Sequence, residues 1–181
     1  MSGQQTPAQI LAFWRAVGPQ RWFVKDAGVD ADTRRFLPAY AAAASGRLAD
    51  WERTPEGALA LLIVLDQFPR NMFRGEARAY AADPLARAVA GRAIARGFDQ
   101  EFAIPERRFF YLPYMHSEDL ADQERCRALC RAAQDAVGVE HADVHADIVR
   151  RFGRFPHRNA ALGRETTAEE RAFLAEGGFA G

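Results

Sequence analysis

Two short stretches carry the same order of chemically capable side chains. "FPRNMFRG" (Phe68–Gly75) and "FPHRNAALG" (Phe155–Gly163) each run Phe-Pro, then Arg-Asn, then a glycine four residues beyond the Asn. Arg70, Asn71 and Arg74 belong to the first stretch, and His157, Arg158 and Asn159 to the second. An arginine fork suits phosphate or carboxylate bidentately. The second stretch also lies in a basic run. Arg150, Arg151, Arg154, Arg158 and Arg164 crowd it, and no acid occurs between Asp147 and Glu165. Such a run either grips an anion or docks against acids of the same chain.

The acids are equally clustered. Asp66 in "DQFPRN" closes an apolar helix, where its charge meets the negative pole of the macrodipole. A local violation of this kind marks compensation or function. Asp66 either pairs with Arg70 or an arginine of the second stretch, or orients a ligand or water. "YMHSEDLADQ" brings His116, Glu118, Asp119 and Asp122 together. A histidine among carboxylates suits acid/base or metal chemistry, while the acids also fit the first turn of a helix capped by Ser117. His141 and His145 are four apart but lack the intervening Glu of a zinc-protease helix. They read as core positions, so neither a metal nor a cofactor is expected. Cys126 and Cys130, also four apart, read as reduced structural thiols.

Composition bounds the possibilities. The chain has 181 residues, 49% hydrophobic and 27% charged, with zero formal net charge. That is enough for one globular domain with its own core. Zero net charge argues against a nucleic-acid partner. "MSGQQTPAQI" has neither the basic nor the apolar part of a secretory signal, and "ALALLIVL" is far too short to span a bilayer. A cytoplasmic protein with no membrane partner is expected.

Helix punctuation positions these groups. Thr6, Pro7 and Gln9 form a capping box; Thr54 with Pro55, Asp83 with Pro84, and Thr167 with Glu170 repeat the device. A helix is predicted from about Asp32 to Ser45, with Pro38 in its early turn, and a long one after Ser117. His141, Val144, His145, Ile148 and Phe152 share a face at helical spacing. Proline restrains the residue before it, so the helices preceding Phe68 and Phe155 should stop there. No alternating strand and no hairpin turn is found. The prediction is an all-α chain of about eight to ten short antiparallel helices, residues 1–181 forming one domain.

"LALLIVLDQFPRNMFRG", "FFYLPYMHSEDLADQ" and "RFGRFPHRNAALGRETTAEERAFL", in this order, resemble the bacterial and fungal family catalogued as domain of unknown function 924. The resemblance runs from Phe13–Trp14 to the C-terminal helix and implies a TPR-like array of paired helices; it implies no reaction. Where the family's pattern suggests "D..IR.RF", this chain has "DADTRRFLPAY". Three functions remain open. The first is a binding module whose arginine-lined groove takes a small anion or an acidic protein or peptide. The second is an enzyme on a small anionic substrate, with His116 or His157 as acid/base. The third is a scaffold whose polar motifs only tie helices. The candidate ligand-binding set is Asp66, Arg70, Asn71, Arg74, His116, Glu118, His145, Arg154, His157, Arg158, Asn159 and Arg164.

Overall fold

The computed structural model describes residues 5–179. Among them every regular element is helical and no strand occurs. The α-helices are α1 (Pro7–Val17), α2 (Pro19–Trp22), α3 (Ala27–Thr33), α4 (Leu37–Ala44), α5 (Pro55–Leu62), α6 (Phe68–Met72), α7 (Asp83–Ala95), α8 (Leu112–Met115), α9 (Leu120–Ala132), α10 (Ala136–Phe152) and α11 (Ala168–Ala175). None is long and apolar enough to cross a membrane. The chain forms two compact units: one runs to Arg74 and resumes over Arg78–Pro113, and the other comprises Gly75–Ala77 and the chain from Tyr114 onward.

The caps follow the sequence in most places. Thr6 with Gln9 and Thr167 with Glu170 close reciprocal capping boxes on α1 and α11. Thr54 accepts from the Gly57 amide at 3.1 Å. Gly57 is required by close approach, since a Cβ there would strike the Trp51 carbonyl oxygen. The expected Asp32–Ser45 helix is divided instead: α3 ends at Thr33, a 3-10 turn covers Arg34–Phe36, and α4 begins at Leu37. With Pro38 at its second position, α4 cannot extend an α-helical ladder back through that residue.

In the first unit, α5 packs against α1 and α7 and is apolar on every side. Leu59, Leu62, Ile63, Leu65 and Phe68 are fully buried. Each such burial contributes about 2 kcal/mol of transfer free energy. Phe68 then meets Phe13, Trp14 and Phe36 at ring separations of 5.0–5.9 Å. This helix does not stop at Phe68 as the proline rule predicts. It widens into a π-helical turn over Ile63–Gln67 and runs on through Pro69 as α6. The Phe68 amide reaches back five residues to the Ile63 carbonyl. The widened turn accommodates Pro69, which has no N–H to give and whose ring would crowd a regular α-helical carbonyl.

In the second unit, α9 packs along α10. Cys126 and Cys130 of α9 and Ala142 and Ala146 of α10 are all buried. Neither forms a disulfide, and their mutual hydrogen bond, then burial, push the Cys126 thiol up. Ile148, Val149 and Phe155 form a core flanked by Phe152, Phe173 and Phe179. The buried face of α10 differs from the expected one. His145 and Ile148 are buried, but Val144 is exposed and His141 faces outward. Its inner line runs instead through Gly138, Ala142, His145, Ala146 and Val149, all small residues except two.

Candidate functional site

Each Phe-Pro stretch anchors a polar cluster in its own unit. In the first, the π-helical turn leaves Asp66 almost fully buried. Gln67 Nε2 donates to Asp66 Oδ2 at 2.6 Å, and Arg70 Nη1 lies 3.3 Å from Asp66 Oδ1. Arg70 Nη1 also donates to the Asp66 carbonyl at 2.7 Å. The guanidinium grips Asp83 through two 2.9 Å hydrogen bonds. Burial would weaken the Arg70 charge, but Asp66 and Asp83 hold it firmly protonated. Asn71 and Arg74 converge on Asp30 at 2.8–2.9 Å. Burial raises the Asp30 carboxyl, and Arg74 and Asn71 more than reverse it.

In the second unit, α10 ends at Phe152, with Gly153 in the left-handed region at φ 68°. Phe155 is extended, and Pro156–Arg158 form a single 3-10 turn, as the proline rule predicts. Arg154 binds Glu170 bidentately at 2.6 and 2.9 Å. Glu170 also accepts from Asn159 Nδ2 at 3.1 Å and from the Thr167 amide at 2.8 Å. The Arg154 pair leads in depressing the Glu170 carboxyl to about 2. Arg164 binds Glu118 at 2.7 and 2.9 Å and donates to Asn159 Oδ1 at 3.0 Å. Glu118 also accepts the Phe155 amide at 2.8 Å. Burial would raise Glu118; Arg164 and that amide bring it below its ordinary value.

Ser117 does not cap α9. Its hydroxyl accepts the Asp119 amide, and Asp119 is the cap, accepting from Ala121 at 2.7 Å. The helix therefore starts two residues later than the acid cluster suggests. Glu118 falls in the extended approach and is released to meet Arg164. Gln123, wholly buried, donates to the Met115 and Ser117 carbonyls at 2.7 and 2.6 Å. It thereby fixes the backbone on either side of His116.

An aromatic and imidazole group surrounds Phe155. His145 meets its ring at 5.6 Å, His157 at 5.7 Å, and the Arg158 guanidinium stands over it at 4.5 Å. Phe179 meets His145 and His157 at 4.5 and 5.3 Å. His145 and Arg158 each retain 6% exposure. His145 Nδ1 lies 2.7 Å from the His141 carbonyl oxygen. That oxygen only accepts, so Nδ1 carries the proton of the neutral ring and Nε2 the bare lone pair. Burial, with His116, His141 and Arg158 nearby, lowers the His145 pKa to about 4.

The structure thus places His116, Glu118, His145, Arg154, His157, Arg158, Asn159 and Arg164 in one unit, and Asp66, Arg70, Asn71 and Arg74 in the other. Sequence reasoning missed the acids that complete them. Asp83 and Glu170 were legible only as helix-start residues. Asp30 gave no signal, because its partners Asn71 and Arg74 lie 41 and 44 positions away. Phe179 likewise gave none. Among the described residues no group of three or more His, Cys, Asp or Glu could hold a metal ion.

Fold and site together define an all-α protein of short helices in which Arg70, Arg74, Arg154 and Arg164 are bound to partly or fully buried carboxylates. The chain belongs to the bacterial family of unknown function 924, whose model matches residues 10–178. A solved structure, the protein of unknown function ATU0120 from Agrobacterium tumefaciens, is similar at 51% identity and a TM-score of 0.90. The likeness covers 94% of this chain and 97% of that one. No match is found among curated proteins.

Proposed function

We propose that this chain is a cytoplasmic, TPR-like helical binding module that takes a small anion at the cluster around Phe155. The observation that carries this reading is the buried Arg158 guanidinium on the Phe155 ring beside the neutral imidazole of His145. Arg70, Arg74, Arg154 and Arg164 each hold a carboxylate bidentately, so they act as ties between chain segments. A rigid frame of this kind preorganises a site without contacting its ligand. Binding is favoured over proton transfer at His145. An acid/base group works best with a pKa near the operating pH, whereas His145 at about 4 stays neutral and weakly basic. A thermal-shift titration with inorganic phosphate, ionic strength held by sodium chloride, tests the reading. A ligand of the native state raises the melting temperature with concentration. The rise is expected in the parent and absent in Arg158→Gln; a flat response of the parent would refute it.

A further inference from the structure

We infer that the segment Gly177–Phe179 is a strap that lifts off its own unit to uncover the imidazoles of His145 and His157, with Phe179 as its latch. The inference needs no ligand and stands apart from the proposed anion site. It begins with how the segment leaves α11. That helix closes on Glu176, and Gly177 turns the chain through the left-handed region at φ 83°. Gly178 folds it back, donating its amide to the Phe173 carbonyl at 2.9 Å. A Cβ on Gly178 would stand 2.5 Å from that carbonyl oxygen and 2.6 Å from the Phe173 ring. The turn therefore requires a glycine, and it delivers Phe179 onto His145 at 4.5 Å and His157 at 5.3 Å.

Phe155 and Phe179 meet the same two imidazoles but are held differently. Phe155 belongs to the core and is fully buried, at 5.6 and 5.7 Å from the two rings. Phe179 is only partly buried against that core. Covering part of a ring gains less than covering all of it. Release also returns to Gly177 and Gly178 the large backbone freedom that glycine loses on folding. Both terms favour lifting of this segment ahead of the α9–α10 pair, where Cys126, Cys130, Ala142 and Ala146 are all buried. Phe155 stays in place when the strap lifts, so the imidazoles are uncovered without loss of the core.

Histidine modification by diethyl pyrocarbonate, followed residue by residue by mass spectrometry, tests this on the parent, Phe179→Ala and Gly178→Val. The first variant removes the latch; the second blocks the turn and keeps the ring. His141, exposed on the same helix as His145, reports the reagent itself. Alkylation of Cys126 and Cys130 by iodoacetamide, run in parallel, reports opening of the whole unit. Each rate is compared with that of the same residue in the unfolded chain. In the parent, His145 should be protected at least about tenfold less than Cys126, because the strap opens alone. Both variants should speed modification of His145 and His157 at least about tenfold, with His141 and the thiols unchanged within about twofold. Where the two variants differ, Phe179→Ala decides. Histidine rates unchanged in that variant would overturn the latch. Thiol rates that rise together with the histidine rates would overturn the strap, since the segment would then open only with its unit. Should neither variant fold, equal protection of His145 and Cys126 in the parent overturns the inference, and the expected tenfold gap upholds it.

Discussion

At Phe68–Pro69 the helix runs on; at Phe155–Pro156 it has already ended. The residue types are the same, and both stretches close on a left-handed glycine, Gly75 at φ 83° and Gly163 at φ 63°. The difference lies in what precedes the proline. Ile63–Leu65 is buried on all sides, and a straight helix there keeps every apolar side chain covered. The chain therefore meets Pro69 by widening to a π turn, and the Arg70 side chain supplies a donor to the Asp66 carbonyl. Before Phe155 the polar sequence "RRFG" offers no such return for staying helical, and Gly153 turns the chain. One motif thus makes a helix-borne arginine that holds two acids. The other makes a loop in which Arg154, Asn159 and Arg164 share Glu170 and Glu118.

This contrast predicts unequal sensitivities. Glu170 accepts from three residues and is 2% exposed. Glu170→Ala should cost on the order of 4 kcal/mol, because it strands Arg154 and Asn159 together. Chemical denaturation measures this, and a loss under 1 kcal/mol would mean the loop stands without its acid.

Acid should act next. The His145 pKa is about 4 when folded against an ordinary 6.5. A depressed value means that the unfolded chain takes the proton first, so stability present above pH 6.5 is lost as pH falls towards 4. The loss should be on the order of 3 kcal/mol, and His145→Gln should flatten that part of the profile. Glu170, at about 2, acts in the same direction at lower pH.

Asp83→Asn should cost less, about 2 kcal/mol, since Arg70 keeps Asp66. A loss as large as that of Glu170→Ala would erase the distinction between the two clusters. The smallest effect belongs to an exposed pair. Arg92 and Glu52 are also bidentate, but Arg92 is half exposed, so Arg92→Ala should cost about 0.5 kcal/mol.

The all-α class was legible because caps and prolines are local signals, and Thr6, Thr54 and Thr167 cap where they should. The motif arginines were legible as a cluster, but their role was not. Pairing depends on acids brought from Asp30, Asp83 and Glu170 by packing, which no local pattern encodes. The π turn was hidden for the same reason. The rule at proline is correct locally at Phe155, and burial overrides it at Phe68. Ser117 misled because two capable caps, Ser117 and Asp119, stand in "SEDL", and Glu118 between them reaches Arg164.

His145 should be a neutral acceptor within the proposed small-anion site. Histidine nitrogen NMR on the parent protein at pH 7 tests it most directly. A single neutral form with the proton on Nδ1 is expected, with an Nε2 resonance that shifts when inorganic phosphate is added. An imidazolium, a proton on Nε2, or a resonance indifferent to phosphate would contradict it.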